Sequence, residues 1–148
     1  MDIKQQAKLE LAMRELEKRH AEQQQSLYSF VVHFWEHEKK ITLDENWHIK
    51  AICDKLEAVY RGEIKRLMIN IPPRALKTEL ISKAFPVWCM GKESSKKFLS
   101  ISYSSELAEK NSSDARNMYV SHTYKKIFPR SAALRADQDT KKQRVNVD

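Results

Sequence analysis

Glycine is almost missing from this chain, with two residues in 148. They stand at 62 and 91, too far apart to supply the two glycines of a strict phosphate loop, G-x-x-x-x-G-K-[ST]. Cysteine is equally scarce. Cys53 and Cys89 lie far apart in apolar, helical-looking sequence and fit neither a disulfide framework nor the ligand spacing of a zinc site. No apolar run approaches the length of a membrane span. The start, Met1-Asp2-Ile3-Lys4-Gln5-Gln6, lacks the basic opening and apolar core of a signal peptide. A reducing cytoplasm is the expected address, and 148 residues leave room for one domain with one core.

Charge is plentiful but uneven. Of the formal +7, residues 1–46 hold 7 basic and 9 acidic groups, whereas residues 47–148 hold 20 and 11. A basic excess in the later part is compatible with phosphates, whether of a nucleotide or of DNA, and equally with an ordinary solvated face.

Residues 3–25 read as a polar helical arm with a narrow apolar stripe of Leu9, Met13 and Leu16. No heptad run extends it into a coiled coil. Leu27, Phe30, Val31, Phe34 and Trp35 then recur at helical spacing and form one buried face. His33 and His37 stand four apart, a spacing that suits a metal, but no third ligand lies nearby and no metal is expected. Thr42-x-x-Glu45 has the form of a capping box opening a helix through Trp47, Ile49, Ile52, Leu56, Val59 and Tyr60, with Gly62 as its stop.

Next comes the stretch around which the chain is organised. Leu67–Ile71 is a short run, apolar but for Asn70, that reads as a buried strand, and Pro72 and Pro73 stop it. A turn then leads into a helix from about Thr78, whose first backbone N–H groups attract anions. Lys77 stands where an ammonium reaches a terminal phosphate, and Thr78 where a hydroxyl ligates Mg²⁺. Ile71 and Leu76 occupy the two glycine positions of the strict pattern. A leucine forced into the left-handed region costs roughly 1–2 kcal/mol. By the pattern alone, an ordinary strand-to-helix turn remains the alternative.

The helix from Thr78 buries Leu80, Ile81, Ala84 and Phe85. Pro86 is expected to end or kink it, and Gly91 to stop the short apolar segment Trp88–Met90. Phe98–Tyr103 reads as a second strand, with Ser104 or Ser105 capping a helix that carries Leu107, Ala108, Ala115, Met118 and Tyr119. A short turn to Phe128 and Pro129 closes the ordered part. Strand–helix–strand–helix order favours a parallel sheet, so the expected fold is α/β, a partial P-loop domain with flanking helices behind an amino-terminal helical segment. The expected boundaries are 1–26 for the arm, 27–135 for the domain and 136–148 for a basic, disordered tail.

The run Trp47-His48-Ile49, Ile52-Cys53-Asp54, Leu56–Val59, Gly62–Arg66, Ile69–Arg74 and Leu76-Lys77-Thr78 resembles the start of the tailed-phage terminase large subunit. Ala84-Phe85-Pro86, Trp88, Gly91, Ile101–Ser104, Leu107–Lys110 and Arg116 continue the resemblance, which spans roughly residues 27–140. That family's loop often reads Pro-Pro-Arg-x-(Gly or Leu)-Lys-(Ser or Thr), so Leu76 is a familiar variant there.

The resemblance implies an ATP-driven motor that packages double-stranded DNA in a bacterial host, working with a small terminase subunit and a portal. By position it makes Lys77 the contact to the β- and γ-phosphates, Thr78 the Mg²⁺ ligand and Arg74 the catalytic loop arginine near the γ-phosphate. Pro73, Ala75 and Leu76 complete the cradle, and Trp47 and His48 line the adenine pocket, with ordinary helix packing the alternative for both. An apolar run ending in a carboxylate, the second half of such a site, is missing after Tyr103. The coupling segment and nuclease cluster are expected beyond Asp148. The chain is thus expected to bind ATP and Mg²⁺ without hydrolysing ATP by itself. The alternatives are a non-catalytic module that binds DNA or protein, and a non-functional prophage remnant.

Overall fold

Leu27, Phe30, Val31 and Phe34 share one helical face, against which the helices on either side in sequence and the helix ending at Lys92 pack. A computed structural model describes residues 3–40, 42–43 and 46–129. The elements run α1 (Ile3–Gln25), α2 (Leu27–Phe34), α3 (Trp47–Tyr60), α4 (Phe85–Lys92), α5 (Ser105–Val120) and α6 (His122–Ile127). Two π-helical turns, Trp35–Lys39 and Glu79–Ala84, extend α2 and lead into α4. Lys77 and Thr78 are already helical, so the chain from Lys77 to Lys92 is one continuous helix.

Local chemistry sets these boundaries. Ser26 caps α2, its hydroxyl accepting from the Ser29 N–H at 3.3 Å. The Leu27 N–H, another orphan of that first turn, donates to Glu57 of α3 at 2.7 Å. Lys40 ends the first π-turn in the left-handed region, with φ 56°. Gly62, with φ 80°, closes α3 as its position suggested. Ser104 and Ser121 cap α5 and α6 by accepting from Leu107 and Tyr124. α6 stands where only a turn was expected. Of the proposed capping box, Glu45 lies outside the described residues. Asn46 precedes α3 and makes no side-chain cap.

The arm α1 is free along most of its length, with Leu9, Met13 and Leu16 exposed. Only its last residues, from His20 onward, dock. There the Trp88 indole N–H donates to the Gln23 carbonyl at 3.1 Å, and Gln24 donates to the Ile127 carbonyl. The core centre is aromatic: Phe30 meets Tyr124 and Phe128 at ring separations of 6.2 and 5.9 Å, and the buried Tyr124 hydroxyl donates to the Val87 carbonyl at 3.0 Å.

Two expectations need correction. The first is the parallel sheet. Among the described residues none is in a strand or bridge, so the α/β P-loop fold gives way to an all-helical arrangement. Leu67–Ile71 and Phe98–Tyr103 are indeed non-helical segments, but residues 65–71 and 97–103 make no backbone hydrogen bond with one another or with any other described residue. Apolar runs and alternation specify an extended chain. A sheet also needs partners, and two strands alone are marginal.

The second correction concerns Pro86 and Gly91. Pro86 neither ends nor breaks the helix, because it sits in the first turn of α4 just past the π-turn. The Phe85 N–H bonds back to Leu80 across that wider turn, so the missing N–H of Pro86 falls where the hydrogen-bond register is already shifting. Gly91 is not a stop but a close approach. A Cβ there would lie 2.6 Å from the Phe128 ring, and that is why the position is glycine inside a helix. The expected tail, 136–148, lies outside the described residues.

Candidate functional site

Residues 71–78 form the turn between the first extended segment and the helix Lys77–Lys92. Arg74 and Leu76 both adopt left-handed backbone, with φ 66° and 60°, and Ala75 between them does not. Alternating handedness of this kind turns successive N–H groups toward one concavity, the geometry of an anion-binding nest. Leu76 thus takes the conformation for which glycine serves in the strict loop, at a cost of roughly 1–2 kcal/mol. Its side chain is half-buried against the core, which compensates by holding the residue in place. Strain kept at one turn in this way is a mark of functional loops.

The helix supplies the rest. Its first backbone bond runs from the Leu80 N–H to the Leu76 carbonyl at 3.0 Å, so the N–H groups of Lys77, Thr78 and Glu79 precede the ladder without backbone acceptors. Lys77 and Thr78 are exposed in that first turn, as are Pro73 and Arg74, and Ala75 is half-buried. The structure therefore brings residues 73–78 together on one concave turn. Trp47 and His48 stand at the start of α3, with their rings edge-on to each other at 6.4 Å. Trp47 is 82% exposed, and the buried Nε2 of His48 has no hydrogen-bond partner. α3 meets the loop's segment further along its length. There Leu56 and Val59 join Leu67, Ile69, Ile81 and Phe85 around a groove of about 310 Å³.

An ion cluster that sequence reasoning missed lies on the same helix. Lys83, 7% exposed, donates to Glu79 and, at 2.7 Å, to Asp114 of α5. Lys39 donates to the other Glu79 oxygen at 2.8 Å. Burial alone pushes the Glu79 carboxyl up, but the hydrogen bonds from Lys39 and Lys83 outweigh it and hold the group below its usual range. Burial likewise lowers Lys83, and Asp114 and Glu79 more than restore it. The i,i+4 spacing of Glu79 and Lys83 is visible in the sequence, but nothing local marks Asp114 as the third member. Because Glu79 is held by two lysines, the carboxylate nearest Thr78 in sequence is already committed.

His33 and His37 stack at 4.0 Å between ring centres, and the His37 Nδ1–H donates to the His33 carbonyl at 3.0 Å. His20 of α1 approaches the other side at 6.5 Å. Among the described residues no group of three or more His, Cys, Asp or Glu side chains is arranged to hold a metal ion. Burial, then the neighbouring His37 and His20, holds the His33 pKa down at about 4. The unfolded chain takes up this proton near pH 6.5 and the folded chain near pH 4. The associated stability is therefore present above about 6.5 and lost as pH falls toward 4. Solvent screening of a half-exposed ring limits the effect to about 1–2 kcal/mol. Urea midpoints between pH 7 and 4.5 should show that loss in the parent and a flatter profile in His33→Gln.

Among the described residues no helix is long and apolar enough to cross a membrane. Comparison of the chain with protein-family models, curated proteins and solved structures finds no match.

Proposed function

We propose that residues 71–78 bind the phosphates of a nucleotide, as the ATP-binding part of a DNA-packaging motor of the terminase large-subunit kind, without its hydrolytic half. One observation carries the reading. Leu76, immediately before Lys77-Thr78 and the start of a sixteen-residue helix, is held at φ 60° where a leucine is strained. The loop chemistry fits the group it would hold. The N–H groups of Lys77, Thr78 and Glu79 have no backbone acceptors and form the positive end of the helix dipole. In this reading Lys77 neutralises the β- and γ-phosphates, Thr78 contributes its hydroxyl to Mg²⁺, and Arg74 approaches the γ-phosphate from the turn. The backbone of Pro73 to Leu76 lines the cradle. Hydrolysis is not part of the proposal. It needs a carboxylate to orient water, and Glu79 is paired with Lys39 and Lys83.

The test is a thermal melt with and without Mg-ATP. A ligand held only by the folded chain at a hundred times its Kd adds about 2.7 kcal/mol, on the order of 10 °C for a domain of this size. Lys77 is exposed, so Lys77→Ala should leave the melt without nucleotide unchanged and remove the ATP-dependent rise. A cooperative melt that ignores Mg-ATP at millimolar concentration refutes the proposal.

A further inference from the structure

We infer that the two extended segments, residues 65–71 and 97–103, are a docking edge for an extended, acid-flanked strand belonging to another polypeptide. Both segments lie against the same side chain. Phe85 lines the groove with Leu67 and Ile69, and its ring meets Phe98 edge-on at 6.2 Å. Leu67, Ile69 and Phe98 thus face the body, and the alternate residues face out. That outer row is apolar where a solvated face would be polar: Met68, Leu99, Ile101 and Tyr103 are 85, 84, 85 and 95% exposed. The backbone of both segments makes no backbone–backbone hydrogen bond among the described residues. Unpaired N–H and C=O groups beside an uncovered apolar row are what a further strand satisfies.

Charge selects the occupant. Residues 64–71 carry two cations and residues 94–105 carry two, and neither stretch contains an acid. Lys65, Arg66 and Lys97, at the beginnings of the segments, are exposed and without ion pairs among the described residues. A second copy of this chain would bring the same cations. The chain's own end, residues 130–148, holds five basic and three acidic groups and is also positive. An apolar strand flanked by glutamate or aspartate meets both the row and the cations. This inference uses residues outside 72–78 and is independent of nucleotide binding there.

The probe is a labelled synthetic peptide of alternating valine and threonine with two glutamates at each end, titrated into the full chain and followed by fluorescence anisotropy. Saturable binding is expected. It should weaken at least tenfold when the glutamates become lysines, and by a similar factor when alternate peptide amides are N-methylated. The exposed triple variant Lys65→Glu, Arg66→Glu and Lys97→Glu should reverse the preference between acidic and basic flanks. Main-chain pairing tolerates sequence, so no binding at millimolar peptide overturns the inference. So does equal binding of the acidic and basic peptides, which marks simple stickiness. A self-associated chain whose dimer is lost in Leu99→Lys assigns the face to a second copy. Duplex DNA that binds through the same three cations while the peptide does not assigns them to nucleic acid. Either result overturns the acidic-strand reading.

Discussion

Trp88→Ala should remove about 4 kcal/mol of stability, within the 3–5 kcal/mol typical of a buried aromatic truncated to alanine. Trp88 is 1% exposed, sits 5.3 Å from the Tyr60 ring, and has the Lys92 ammonium 4.4 Å from its centre. Its indole N–H donates to the carbonyl of Gln23, in the last turn of α1. Truncation therefore empties a core position and strips a buried carbonyl of its donor, and each loss carries its own penalty. Against a total of about 5–15 kcal/mol for a domain, between roughly a quarter and most of the stability would go. Trp88→Phe separates the two parts. It keeps most of the packing and should cost about 1 kcal/mol, concentrated where the arm docks. Urea midpoints measure the totals, and amide exchange in residues 20–25 measures the local part. A Trp88→Ala midpoint within about 1 kcal/mol of the parent would show that the arm and α4 do not share a core.

Much of the helical layout is legible in the residues themselves. The Leu27, Phe30, Val31, Phe34 periodicity needs no tertiary information, and the same holds for Ser104 before Leu107 and for Gly62 after Tyr60. What the sequence hides is pairing. Leu67–Ile71 and Phe98–Tyr103 carry strand-like side chains, but whether they form a sheet depends on a third party that no local pattern contains. The same blindness covers Tyr124. It follows a polar stretch and precedes two lysines, yet Phe30, Phe128 and the Val87 carbonyl surround it. Pro86 misleads for a related reason. A proline breaks a regular α-helix, and a π-turn placed just before it leaves no regular bond to break.

The candidate loop is legible to a different extent. Lys77 and Thr78 stand at a helix start as their neighbours Pro72 and Pro73 suggest, and the left-handed Leu76 answers to the glycine position it fills. Left-handed Arg74 carries no such signal, because arginine has no preference for that region. Trp47 and His48 join the same site by resemblance alone, and the structure sets them at the start of α3. The Lys83 cluster is invisible because Asp114 lies 31 residues downstream.

That cluster is the second large test. Lys83→Ala should cost about 3 kcal/mol, because it leaves Glu79 and Asp114 as adjacent carboxylates without their shared cation. Both retain some contact with water, at 24 and 39% side-chain exposure, and this keeps the loss at the lower end of the range for broken buried pairs. If the loss comes from stranded charge, removing the anions should recover it. Lys83→Met combined with Glu79→Gln and Asp114→Asn should fall within about 1 kcal/mol of the parent, whereas Lys83→Met alone should not. Acid offers an independent check. Glu79 is held below its ordinary pKa of 4.5, so its contribution is present above that pH and is lost as pH falls through the lower folded value. The triple variant lacks this group and should show a shallower acid transition. Equal losses for Lys83→Met and the triple variant would mean that stranded carboxylates are not the source of the loss.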